Sequence, residues 1–141
     1  MKKFFFLSVL LLLVVIASCK TKTTPRKVER YLPGEFWKVT NFTDNGVNLT
    51  ANYSDYLIGF SESGSASVKI SGQFDPVNGA WSVGTGKNPA ILYLNFPLTT
   101  PIDTNIMLIT DDWQVNSITD KEIKLSRNST SQSASNVVLT R

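Results

Sequence analysis

The sequence predicts an all-β fold, an up-and-down antiparallel β-barrel of about eight strands. Three observations carry it. From Tyr31 onward, apolar residues alternate in short runs, turn signals divide those runs, and helical periodicity is nearly absent. One tripeptide pattern recurs three times and uses every tryptophan of the chain: Trp37-Lys38-Val39, Trp81-Ser82-Val83 and Trp113-Gln114-Val115. In a strand, residues two apart share a face, so each Trp and its Val point one way while Lys38, Ser82 and Gln114 point the other. A sheet with one apolar face and no helix to cover it must fold over itself as a barrel or a sandwich, and simple hairpin order favours the barrel.

Taken in order, strands are expected at 36–41, 47–53, 56–61, 66–72, 80–84, 90–96, 112–117, 122–126 and 136–140, the second being the weakest pattern. Tyr56, Ile58 and Phe60, then Val68 and Ile70, then Leu92, Leu94 and Phe96, and finally Ile123 and Leu125 continue the in-out alternation begun by the tryptophan repeats. Asn45-Gly46 and Asn78-Gly79 are pairs that accept the positive φ of tight turns, and the segment 62–65 offers a further glycine turn at Gly64. Gly59, between Ile58 and Phe60, marks a place where a closing sheet bends or another backbone approaches. The connection 97–111 is too long for a hairpin. Ile102, Ile106 and Ile109 are spaced for a single helical turn capping one end of the sheet.

The N-terminus carries a different message. Lys2 and Lys3 precede an apolar run from Phe4 to Ile16 interrupted only by Ser8, and Ala17-Ser18 leads into Cys19, the single cysteine. Such a run has the length of a signal h-region and falls short of the roughly 20 apolar residues that span a bilayer. The expected organisation is a signal peptide at 1–18, a lipidated flexible tether at 19–30, and one folded domain at 31–141. The tether carries five basic residues against Glu29, a net of +4, whereas from Tyr31 onward seven basic residues face ten acidic ones, a net of −3. The basic balance of the whole chain therefore resides in the signal and tether, and the folded part carries no basic footprint for nucleic acid.

The 16–19 segment resembles the lipoprotein box of bacterial lipoproteins. That resemblance implies a diacylglycerol on the Cys19 sulfur, a further acyl chain on its new amino group, and membrane lipid as the partner. Two or three chains hold a protein where one holds only marginally, at about 0.8 kcal/mol per buried methylene. With its one thiol consumed, the domain is left to rely on its core for stability. About eleven residues between Cys19 and Tyr31 would let the domain roam a few nanometres at most, at roughly 3.3 Å per extended residue. Ligand exchange with the bilayer would then be convenient.

The strands around Trp37, Ile58, Trp81, Leu92, Trp113 and Ile123, in their order and spacing, resemble the lipocalin-like domains of lipoproteins from Gram-negative bacteria, over nearly all of 31–141. The resemblance implies an up-and-down barrel and a pocket for a small apolar ligand, with Trp37, Tyr56, Phe60, Trp81, Leu94 and Trp113 as candidate lining. It also implies an outer-membrane position. Surface export in that group goes with acidic residues just after the lipidated cysteine, and Lys20-Thr21-Lys22-Thr23-Thr24 has none, which favours the periplasmic face.

An eight-stranded barrel is just wide enough to be filled by side chains or to hold one small ligand. Core packing alone explains the tryptophans. Catalysis finds little support: the chain has no histidine, no thiol left for attack and no serine in a nucleophile elbow. No metal or cofactor is expected. Asp111-Asp112 and Asp120 with Glu122 fall short of the ligand density of a calcium loop and read as solvated edge charges. Three classes of function follow: a tethered barrel that binds a small apolar molecule, a filled-barrel scaffold or interaction lipoprotein of the envelope, and, weakest, an enzyme using Glu35, Asp55 or Glu62.

Overall fold

Nine strands, two short α-helices and one 3-10 turn build the computed structural model, which describes residues 22–128 and 134–141. The expected signal peptide at 1–18 and the expected lipidation site, Cys19, lie outside the described residues. Chain order is α1 (Pro25–Tyr31), β1 (Trp37–Asp44), β2 (Val47–Asn48), the 3-10 turn (Thr50–Tyr53), β3 (Tyr56–Phe60), β4 (Ser65–Ile70), β5 (Val77–Val83), β6 (Ile91–Asn95), α2 (Thr104–Ile109), β7 (Asp112–Ile118), β8 (Glu122–Asn128) and β9 (Ala134–Thr140). Every pairing is antiparallel. β1 pairs with both β3 and β9, so eight strands close into a barrel, while β2 adds a two-residue flap to β1.

The tryptophan repeats face inward as their spacing requires: Trp37, Val39, Trp81, Trp113 and Val115 are buried, Val83 is half-buried, and Lys38 and Ser82 are exposed. Two register shifts break the alternation. Between Val39 and Asn41 the pairing of β1 with β9 slips, so that Phe42 rather than Asn41 enters the core; between Val115 and Ser117 a second slip turns Ile118 inward. Such irregularities bend and twist the strand that carries them, as a closing sheet needs.

The antiparallel order gives the barrel two distinct ends. At one lie Trp37, Phe60, Val83, Ile91, Ile118 and Glu122 with α1; at the other lie Asp44, Tyr56, Ile70, Val77, Asn95 and Asp112 with α2 and the 3-10 turn. The described part of the expected tether is not a free linker. α1 starts with Pro25 in its first turn, where a missing N–H costs nothing, and Val28 and Leu32, four apart and fully buried, seal the barrel base. Thr23 is anchored as well, its carbonyl accepting from the Ala90 N–H and its hydroxyl donating to the Asn116 carbonyl. An i, i+4 apolar pair among basic residues docks this helix of about two turns.

Three other expectations need correction. The segment 47–53 is a strand only at Val47–Asn48 and then coils into the 3-10 turn, which buries Tyr53. Asn78-Gly79 forms no turn but lies within β5; the chain reverses earlier, around Gly72 at φ +83°. What approaches Gly59 is a side chain, the Phe36 ring, rather than a backbone. By contrast, Asn45-Gly46 does form the tight turn before β2, both residues at positive φ. The helical turn in 97–111 is α2, which buries Ile106 and Ile109, while Ile102 precedes it and is exposed.

Candidate functional site: a cleft beside the α2 lid

The α2 end is closed by a lid held through side chains. Asp103 caps α2, one carboxylate oxygen accepting from the Asn105 and Ile106 N–H groups (2.9 and 3.1 Å) and the other from the Tyr56 hydroxyl at 2.8 Å. Tyr53 donates to the Asn105 carbonyl at 2.9 Å, and Trp113 Nε1 donates to the Ile109 carbonyl at 2.9 Å. Burial pushes both phenols above their ordinary titration range, Tyr53 strongly, so they remain donors to the lid throughout neutral pH. Beneath α2 the rings of Tyr56, Tyr53, Phe42 and Trp113 follow one another, with successive centroids 5.4, 5.0 and 6.2 Å apart.

Beside this lid a cleft of about 560 Å³ opens between the rim of β3–β5 and the segment 99–104. Tyr56, Ile70, Pro76, Val77, Pro101 and Ile102 supply apolar lining; Gln73, Asp75, Thr99, Thr100, Asp103 and Thr104 supply polar groups.

The six residues expected to line a pocket do not converge on one. Tyr56 borders the cleft. Trp37, Phe60, Leu94 and Trp113 belong to the packed core, between 0% and 5% exposed. Trp81 stacks edge-on against Phe60 at 6.1 Å, donates to the Ser61 carbonyl, and borders a separate surface depression at the α1 end with Glu29, Arg30 and Glu62. The indole N–H groups explain part of this placement: Trp37 donates to the Leu32 carbonyl and Trp113 to that of Ile109, so each is spent holding a terminal lid. Comparison with known proteins returned no matching family model, no matching curated protein and no matching solved structure.

Charged residues that shape the two ends lie outside the sequence-based expectations. Arg127 and Ser135 pair directly across β8 and β9, each in phase with inward apolar neighbours, Ile123 and Leu125 or Val137 and Leu139. A charged residue at an inward position of a strand was the available signal, because it demands counter-charges. The Arg127 guanidinium lies 5.0 Å from the Trp113 ring centroid and pairs with Asp44 at 3.0 Å and with Asp111; Ser135 donates to Asp44. At the opposite end Arg141 stacks 4.4 Å from the Trp37 ring centroid and donates to the Tyr31 and Pro33 carbonyls. Asp103 was readable too, as an acidic cap just ahead of a helical turn.

Among the described residues no group of three or more His, Cys, Asp or Glu is placed to hold a metal ion.

The Ser135 hydrogen bond, helped by the charge and hydrogen bonding of Arg127, holds the Asp44 carboxyl below its ordinary 3.8 against the opposing effect of burial. The stability this supplies is present above the unfolded value and is lost as pH falls through the lower folded value. Arg127→Met is therefore expected to destabilise by about 2–4 kcal/mol, since it strands a largely buried carboxylate. Asp44→Asn should flatten the loss of stability that the wild type shows below about pH 4. Urea unfolding from pH 2 to 7 checks both; equal acid slopes for wild type and Asp44→Asn would refute the assignment.

Proposed function

We propose that this chain is an outer-membrane lipoprotein, acylated at Cys19, whose lipocalin-like barrel binds a small, largely apolar molecule, and that the binding site is the cleft beside α2. The observation that carries the reading is the cleft itself: its volume lies in the range of ligand sites, about 300–1,000 Å³, and its lining mixes apolar and polar residues.

The same reading gives an orientation. Thr23 is docked at the α1 end, only four residues beyond Cys19, so the barrel can lie at most about 13 Å from the lipid attachment. Arg26, Lys27 and Arg30 of α1 sit at that end and suit anionic headgroups. The cleft lies at the opposite end, so its ligand exchanges with the aqueous side rather than directly with the bilayer. On this reading a short tether takes the place of the long one expected above.

Two measurements test this. Cys19→Ser in the full chain is expected to abolish labelling by a palmitate analogue; undiminished labelling would refute acylation there. Methyl NMR of the full-length protein in lipid nanodiscs, titrated with octyl-chain amphiphiles, should show saturable shifts at Ile70 and Val77 beyond what empty nanodiscs explain by partition. Flat titrations across all headgroups would refute the ligand reading. The alternative, a filled-barrel interaction lipoprotein, is favoured by exposed Phe74, Leu98, Ile102 and Met107 around the α2 end. Crosslinking in intact cells that captures one stoichiometric protein partner through these residues would select it.

A further inference from the structure

We propose that the molecule taken by the cleft is a cationic amphiphile, an alkylammonium or comparable short-tailed amine, rather than a fatty-acid anion. This rests on the cleft being the binding site and adds the sign of charge it selects.

The cleft holds two carboxylates, Asp75 and Asp103, and among the described residues no cationic side chain lines it. Tyr56, Ile70, Val77 and Ile102 provide the apolar surface for a tail between them. Every partner of the Asp103 carboxylate is neutral, two backbone N–H groups and the Tyr56 hydroxyl, so its charge is hydrogen-bonded but not neutralised. Among the described residues Asp75 has no salt bridge either.

The surrounding field has the same sign. The antiparallel topology gathers Asp44, Asp55, Asp75, Asp103, Asp111 and Asp112 at the α2 end. At that rim Arg127 is already paired with Asp44 and Asp111. Lys69, on β4, is turned over the Phe36 ring at 4.4 Å. A concave, partly apolar site ringed by one sign of charge concentrates ligands of the other sign and repels its own. A carboxylate headgroup placed here would meet two fixed aspartates with no donor cation to balance it.

The test uses the full-length acylated protein in phosphatidylcholine nanodiscs, a zwitterionic surface, with empty nanodiscs as the partition control. Three probes share one tail and differ in headgroup: octyltrimethylammonium, octanol and octanoate. Shifts of the Ile70 and Val77 methyls are expected to saturate at a concentration at least tenfold lower for the ammonium than for octanoate, with octanol between them. Raising the salt should narrow that gap. Asp75→Asn and Asp103→Asn should each narrow it too; Asp75→Asn leaves the α2 cap intact and guards against loss of the lid.

Octanoate binding as tightly as the ammonium would overturn the charge selection while leaving the cleft as an apolar site. Ammonium selectivity unchanged in both aspartate variants would equally overturn it. Absence of saturable shifts with all three probes would remove the binding reading itself.

Discussion

Trp113→Ala is expected to be among the most damaging single substitutions in the barrel, lowering stability by about 3–5 kcal/mol, the usual cost of truncating a large buried ring. Trp113 is 1% exposed, meets Phe42 edge-on, carries the Arg127 guanidinium over its face, and donates to the Ile109 carbonyl at the end of α2. Truncation opens a void under the lid, leaves that carbonyl without its donor, and withdraws the surface on which Arg127 rests. At roughly 4 °C per kcal/mol for a domain of this size, the melting temperature should fall by about 15 °C. Trp113→Phe separates these contributions. It keeps most of the ring and loses the N–H, so it should cost only about 1–2 kcal/mol while raising amide exchange selectively in α2. A uniform rise in exchange across all strands would show that the indole N–H is not what holds the lid.

The second large effect is expected where a methyl group is added. A Cβ at Gly79 would stand 2.3 Å from the Asn95 carbonyl oxygen, 2.6 Å from Cδ1 of Phe96 and 3.1 Å from its Cα. Two of those three atoms are backbone of the neighbouring strand or its continuation, so β5 and β6 must part before alanine fits. Their ladder, Ala80 to Asn95 and Trp81 to Leu94, is next to the intrusion. The expected cost of Gly79→Ala is about 3 kcal/mol or more, at or above the upper end of overpacking. Gly59→Ala is the control. There the methyl would meet Cε1 of Phe36 at 2.7 Å and the Ser67 hydroxyl at 2.9 Å, both side-chain atoms, and Phe36 is exposed enough to swing aside. About 1 kcal/mol is expected for it. Comparable denaturation midpoints for the two variants would contradict this account of why Gly79 is glycine.

These sites also mark where reading the sequence worked and where it stopped. Trp37, Trp81 and Trp113 were placed on inward faces by the two-residue period, which is a local property of a strand. Local backbone preference puts Asn45-Gly46 in a turn, and both residues take positive φ there. Asn78-Gly79 carries the same dipeptide and lies in a strand, because its glycine answers to Asn95 and Phe96, residues sixteen and seventeen positions later in the chain. Phe42 and Ile118 face inward only because of register shifts against β9 and β8, and pairing partners are not written into a strand's own pattern. Val28 and Leu32 are hidden in a basic, proline-containing stretch, since about two turns of helix offer too few apolar positions to stand out.

The candidate site divides in the same way. Tyr56 and Ile70 could be proposed from alternation, whereas Asp75 and Val77 of the β4–β5 hairpin meet Asp103 only when 97–103 folds back along the barrel rim.

By itself the sequence determined the all-β class, the inward face of the strands between their register shifts, the up-and-down order and the helical turn before β7, because periodicities and short loops act over a few residues. Only the tertiary structure decided that the tryptophans are spent in the core and on the lids, that the chain ahead of β1 seals one end, and that an acidic, partly apolar cleft lies at the other. The physical reason is closure: joining β1 to β9 brings the ends of eight strands together in two rings, and which charges and which apolar edges meet there is a property of the ring and not of any one segment.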